Sequence, residues 1–294
     1  MAREGFFSKF KEYLKNWSVS TEELLTDALY LGFNGNYDDA IDTLDEAIYA
    51  SEGSYETKEG KSLLYAFKAL ALSKLKRDQE ALVVINKAIE YNKKSGFNWS
   101  LKGDIYHNLD QQQESLEAYE QALKNAEGED EPEIIWNKAD VLSHLERHEE
   151  SLKEYEKYIQ MEPESAAAWY GKADELSELG KTKEAIQVCE KALELDPDDI
   201  DINILFGNLM LDVNKNEDAL KYFEKAATYD SKDELTWYNK ACVLSRLNRK
   251  EEAIDALTVA TSLEPQNLNT MREETDFDNI RQTDRFNRLL SLKV

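Results

Sequence analysis

The sequence predicts an all-α protein built from stacked pairs of helices. Among the Lys-Ala and Lys-Gly dipeptides, those that begin at residues 68, 102, 138, 172 and 240 recur at steps of 34, 36, 34 and 68 residues, the last being twice 34. A fixed period of this size is typical of repeat proteins in which each repeat is a helix pair stacked on the next. The chain also has only 4 prolines and 11 glycines among 294 residues, which favours helices because both residues disrupt helix interiors.

Seven repeats align on this period. Their eighth and twentieth positions always hold Ala, Gly or Ser, which lets two helices approach closely where they cross. The eleventh and twenty-fourth positions hold mainly large apolar residues. Proline occurs only near the repeat boundaries, where a helix must begin or end. The predicted repeats are 21–54, 62–95, 96–129, 132–165, 166–199, 200–233 and 234–267.

This alignment resembles the tetratricopeptide repeat (TPR) family over most of the chain. The fifth repeat matches the family pattern at Trp169, Leu176, Gly180, Ala185, Ala192 and Pro197. The resemblance implies antiparallel helix pairs arranged as a right-handed superhelical α-solenoid with a concave groove. It also implies that the groove binds a protein or a peptide.

Both ends of the chain differ from the repeats. Residues 1–20 predict an N-terminal amphipathic capping helix, because Phe6, Phe10, Tyr13, Leu14 and Trp17 recur at helical spacing. Residues 268–294 predict a C-terminal capping helix. Capping is favoured because terminal repeats expose an apolar side. For the N-terminal helix two other interpretations stay open, namely contact with a membrane surface and insertion into the groove of another copy.

Composition excludes several classes of function. The 60 acidic and 36 basic residues give a net charge of −24, whereas a nucleic-acid-binding protein needs a basic surface. No apolar run is long enough for a membrane span, and the first residues lack the apolar core of a signal peptide. The two cysteines, Cys189 and Cys242, form no disulfide or metal motif. We therefore expect a cytoplasmic protein whose partners are basic.

No catalytic, cofactor or metal site is predicted. The chain has no glycine-rich phosphate loop, nucleophile elbow or HExxH motif. Asp140, His144 and His148 are spaced i, i+4 and i+8, and His107 is a fourth candidate ligand. However, the Glu-Arg-His-Glu segment at 146–149 is expected to form a turn, which would direct His148 elsewhere. We therefore predict no metal and no enzymatic activity.

The predicted binding surface lies on the first helix of each repeat. Positions 2, 5, 6, 9, 12 and 13 face away from the second helix, and in the family resembled here this face lines the groove. We call it the groove face. Aspartates at the ninth position and aromatic residues at the fifth predict recognition of basic or mixed basic and apolar segments. The candidates are Asp104, Glu133, Trp136, Asn137, Asp140, Tyr170, Asp174, Asn208, Tyr238 and Asn239.

Other interpretations of these residues stay open. The carboxylates are also consistent with a solvated surface or with internal pairing, and Trp136 is also consistent with a core position next to Ile135. The recurring lysine at the seventh position is predicted to cover apolar surface with its methylene stem. A clamp for a C-terminal carboxylate is excluded, because the fifth position is never lysine and the ninth is rich in aspartate.

The sequence therefore predicts a non-enzymatic scaffold that binds a protein or peptide in its groove and carries no cofactor. The alternative is a self-assembling scaffold, a homo-oligomer formed through terminal helices or through a helix inserted in a neighbour's groove.

Overall fold

A computed structural model of the protein describes residues 19–52, 57–125, 131–264, 271 and 274–291. All regular secondary structure in these residues is helical, and none of their helices is long and apolar enough to cross a membrane. Of the predicted N-terminal helix, residues 1–18 lie outside the described residues. The α-helices are α1 (Val19–Phe33), α2 (Tyr37–Glu52), α3 (Lys58–Lys74), α4 (Asp78–Tyr91), α5 (Gly96–Asn108), α6 (Gln112–Asn125), α7 (Glu131–His144), α8 (His148–Met161), α9 (Ala166–Glu178), α10 (Thr182–Leu195), α11 (Ile200–Asp212), α12 (Asn216–Tyr229), α13 (Glu234–Arg246), α14 (Lys250–Leu263) and α15 (Asp284–Leu290).

The helices form two compact bodies. Met1–Arg147 is the N-terminal body and contains α1 to α7, and His148–Val294 is the C-terminal body and contains α8 to α15. Within each body, consecutive helices pack side by side, and the tightest pairs are the two helices of one predicted repeat, such as α3 with α4 and α9 with α10. The core of each body therefore lies between and within helix pairs.

The turns inside the predicted repeats share one backbone feature. At the fifteenth position of all seven repeats the residue has a positive φ, between 56° and 82°. A non-glycine residue there is disfavoured by roughly 1–2 kcal/mol, yet only two of the seven are glycine. The backbone thus repeats with the period of the sequence. The residues are Gly35, Lys76, Asp110, Glu146, Gly180, Asn214 and Asn248.

The small-residue columns explain how closely the paired helices cross. All residues at the eighth and twentieth positions of the seven repeats are buried. At Gly103 the helices approach so closely that a Cβ atom there would lie 2.6 Å from the ring of Tyr119 on α6. A Cβ atom at Gly207 would likewise lie 2.7 Å from the ring of Phe223 on α12. A larger side chain at these positions would push the helices apart.

In four of the repeats the residue at the fourth position ties the first helix to the turn before it. The indole nitrogens of Trp99, Trp169 and Trp237 each donate a hydrogen bond to the carbonyl six residues earlier, at 2.9 to 3.0 Å. In the sixth predicted repeat Asn203 stands at this position. Its amide donates to the Pro197 carbonyl at 2.9 Å, so a small polar side chain makes the bond that tryptophan makes elsewhere.

The C-terminal segment differs from the single capping helix predicted within residues 268–294. Among the described residues it consists of a 3-10 turn, Thr275–Phe277, followed by α15. The side chains of Phe277, Ile280 and Phe286 are fully buried in the core of the C-terminal body. Thr283 caps α15 by accepting a hydrogen bond from the Phe286 amide, and this cap separates the two elements.

Candidate functional site

The recurring lysine of the seventh position is a structural residue. Lys68, Lys172 and Lys240 each form a salt bridge with an acid on the second helix of the preceding repeat, at 2.5 to 3.7 Å. The ammonium groups of Lys172 and Lys240 also lie over the tryptophan three residues earlier. These lysines therefore join neighbouring helices, as their position at the edge of the packed face predicts.

The aspartates of the groove face have three different environments. Asp104 in the N-terminal body accepts hydrogen bonds from the Tyr119 hydroxyl at 2.5 Å and from the Asn137 amide at 3.2 Å. Burial raises the pKa of Asp104, and the two hydrogen bonds oppose that rise. The Asp104 carboxylate thus connects α5, α6 and α7. Internal pairing of this kind is one of the interpretations that the sequence left open.

Asp140 lies beside two histidines of the N-terminal body. Its Oδ2 is 3.9 Å from Nε2 of His107 and 3.6 Å from Nδ1 of His144, and the two imidazole rings meet edge to face. His148 points elsewhere and lies 2.9 Å from the buried carboxylate of Glu175 in the C-terminal body. No group of three or more His, Cys, Asp or Glu side chains in the described ranges is arranged to hold a metal ion.

Asp174 in the C-terminal body has the third environment. It is half-buried, and within the described residues it has neither a hydrogen-bond nor a salt-bridge partner. Burial raises the pKa of Asp174 to about 6, and repulsion from Glu175 and Glu178 adds to the rise. Burial also raises the pKa of Tyr170, with a further contribution from Asp174 and Asp201. A phenol and carboxylates therefore share one partly sheltered region.

The remaining predicted site residues differ in burial and in contacts. Ile135 is buried and Trp136 half-buried, so Ile135 takes the core position in this repeat. Tyr238 is engaged internally, because its hydroxyl donates to Glu274 at 3.2 Å and its ring meets Phe277 edge to face. Glu133 is exposed, and Asn208 and Asn239 are half-buried.

An apolar pocket on the N-terminal body was missed by the sequence prediction. It has a volume of about 490 Å³, and aromatic rings from α1, α3 and α5 surround it. Phe33 and Phe97 are 48% and 38% exposed there, although both are large apolar residues. Its lining consists of Ala28, Leu29, Gly32, Phe33, Tyr37, Ala40, Leu44, Phe67, Leu70, Ala71, Lys74 and Phe97.

The sequence did contain a signal for this pocket. The ninth position holds Leu29 and Leu70, and the thirteenth position holds Phe33. These columns belong to the groove face, but the predicted site residues all lie in the third and later repeats. The groove face is therefore apolar in the first repeats and acidic in the later ones.

Comparison with known families and structures agrees with the repeat pattern. One family model described as tetratricopeptide repeat matches residues 63–95, 98–128, 132–165 and 236–267. A second model with the same description matches residues 166–199. These matches cover more than half of the chain. No curated protein sequence matches this chain at a significant level.

Several solved structures share the fold at low sequence identity. A tetratricopeptide repeat protein from Parabacteroides merdae is 17% identical with a TM-score of 0.66, and the match covers 93% of this chain and 99% of that one. For pilF of Pseudomonas aeruginosa the identity is 16%, the TM-score 0.62 and the coverage 73% and 96%. YrrB, described as a TPR protein with an unusual peptide-binding site, is 20% identical with a TM-score of 0.50 and coverage of 64% and 95%.

Proposed function

Because the chain belongs to the tetratricopeptide repeat family, we propose that it is a non-enzymatic scaffold that binds protein or peptide segments through its groove face. The preferred segment carries both apolar and basic side chains. The apolar pocket of the N-terminal body carries this proposal, since a monomeric domain rarely leaves aromatic side chains exposed around a cavity without a use for them. YrrB, which shares the fold, is described as having a peptide-binding site.

The basic preference rests on charge and on one local arrangement. The chain has a net charge of −24, which attracts cationic partners over a distance of about 8 Å at physiological ionic strength. Asp174 has no internal salt-bridge partner within the described residues and lies near Tyr170. A lysine or arginine placed there would gain a carboxylate and an aromatic neighbour.

Free cysteines support an intracellular setting for this function. Cys189 and Cys242 are both buried and unpaired. Burial raises the pKa of both thiols, so they are poor nucleophiles and act as small apolar side chains. We therefore place the scaffold in the reducing cytoplasm.

Calorimetric titration with designed peptides tests the proposal. The probe is a helical peptide that combines lysines with phenylalanines, and the control peptide has glutamate in place of lysine. We expect the lysine peptide to bind at least about tenfold more tightly, since each 1.4 kcal/mol changes affinity by that factor. Asp174→Asn should weaken its binding, whereas Glu149→Gln, which removes an exposed acid of the same body, should not. Equal binding of the two peptides would refute the basic preference.

A further inference from the structure

The apolar pocket of the N-terminal body offers few polar groups to a ligand. Its lining is formed almost entirely by aliphatic and aromatic side chains, and the charged residue among them, Lys74, is exposed. Phe67 and Phe97 form a ring pair with centroids 6.1 Å apart. Such a pocket selects an occupant that presents large apolar side chains.

The helix pair that forms one side of this pocket is also strongly acidic. Helices α1 and α2 together contain nine carboxylate side chains and no lysine or arginine. An occupant that carries basic residues beside its apolar ones would therefore be attracted to this side of the N-terminal body. The pocket and its surroundings together specify an amphipathic, basic segment.

The chain itself contains such a segment directly before α1. Residues 1–18 hold four basic and two acidic side chains. They also hold five large apolar residues at helical spacing, which the sequence prediction assigned to a cap: Phe6, Phe10, Tyr13, Leu14 and Trp17. This segment matches the pocket in both apolar character and charge.

The length of the segment allows its aromatic residues to reach the pocket of the same molecule. From Val19 to Gly32, α1 rises about 20 Å at 1.5 Å per residue. The residues between Phe6 and Ser18 span about 18 Å as a helix and about 40 Å when extended. A tethered segment that can span the distance acts at a millimolar effective concentration, which favours its own pocket over that of a second copy.

We infer that residues 1–18 dock into the apolar pocket of the same chain, with Phe6 and Phe10 as anchors. This inference rests on the proposed function, because the segment then competes with the partner for the groove face. A partner must displace it to bind the N-terminal body.

The test measures the affinity of a synthetic peptide of residues 1–18 for the full chain. The wild type should bind this peptide weakly, and Phe6→Ser/Phe10→Ser should bind it at least about tenfold more tightly because the tethered competitor is gone. Adding Gly32→Phe to that variant should abolish binding. A Cβ at Gly32 meets no atom within 4 Å, and Gly32 lines the pocket, so we expect the new ring to occupy it. Thr43→Phe, which adds a ring at a half-buried site on α2 outside the pocket lining, is the matched control.

Several outcomes would overturn the inference. One is equal affinity of the peptide for the wild type and for Phe6→Ser/Phe10→Ser. Another is tight binding that Gly32→Phe leaves unchanged, and if that variant unfolds by circular dichroism, Phe97→Ser at the exposed mouth replaces it. A molar mass that rises with concentration in the wild type but not in Phe6→Ser/Phe10→Ser would place the segment in a second copy. Loss of lysine-phenylalanine peptide binding in every variant would instead contradict the proposed function.

Discussion

The side-chain amide of Asn137 donates a hydrogen bond of 3.2 Å to the carboxylate of Asp104, across two successive helix pairs. The same carboxylate accepts the Tyr119 hydroxyl at 2.5 Å. Two members of the predicted binding surface are therefore bonded to each other. Asp104 differs in this respect from Asp174, although both stand at the ninth position of a repeat.

Substitution of Asp104 should affect stability. We expect Asp104→Ala to lower the free energy of unfolding by about 1–3 kcal/mol, because it leaves two part-buried donors without their acceptor. Asp140→Ala, which removes a 43% exposed side chain, should change it by less than about 1 kcal/mol. Urea unfolding followed by circular dichroism measures both. Equal losses would contradict the structural role of Asp104.

Gly103 should be intolerant of even one added carbon. A Cβ there would lie 2.6 Å from the buried Tyr119 ring, so Gly103→Ala should lower the free energy of unfolding by about 1–3 kcal/mol. The control is Gly32→Ala in α1, where the added carbon meets nothing within 4 Å. That substitution should raise stability by about 0.4–1 kcal/mol, since alanine favours the helix. Thermal unfolding of the two variants should show shifts of opposite sign.

Ionisation of Asp174 should destabilise the folded chain. Its pKa of about 6 lies above the ordinary aspartate value of 3.8, so the folded state binds the proton more tightly than the unfolded state does. Stability should therefore fall as the pH rises from about 4 to about 6. Asp174→Asn should be more stable than the wild type near pH 7, and this gain should vanish near pH 4. Melting temperatures across this range test the sign, and a less stable Asp174→Asn near pH 7 would contradict it.

The same ionisation should control binding of a basic segment. Since Asp174 is charged only above its pKa of about 6, affinity for the lysine-phenylalanine peptide should fall as the pH is lowered through that value. In Asp174→Asn this contribution should disappear, so its affinity should change less with pH. Titrations of the wild type, Asp174→Asn and Glu149→Gln at matched ionic strength measure the difference. Identical pH profiles for all three would exclude Asp174 from the binding surface.

Most of the architecture could be predicted from the sequence because the residues that recur with the period determine how the helices pack. The small residues of the eighth and twentieth positions determine where helices cross. Each pair turns at the fifteenth position, although the residue type there varies. The C-terminal segment could not be predicted in the same way. It breaks the period, and Phe277 and Phe286 are buried from two short elements instead of one helix.

The candidate site was predicted less completely. Repeat columns place Asp104, Asp140 and Asp174 on equivalent faces, but they do not show what each side chain touches. Asp104 is bonded internally because the Tyr119 ring passes over Gly103, and that contact depends on three-dimensional packing. The apolar pocket could have been predicted from the same columns in the first repeats, where Leu29 and Leu70 replace the aspartate.

Photo-crosslinking tests the central claim, binding on the groove face, most directly. The lysine-phenylalanine peptide would carry a photoreactive analogue of phenylalanine and be irradiated in complex with the full-length Phe6→Ser/Phe10→Ser variant. Mass spectrometry should then locate the adducts on pocket residues such as Phe33, Leu70 and Phe97. Adducts confined to exposed residues away from the groove face, such as Tyr49 on α2 and Val83 on α4, would contradict the account.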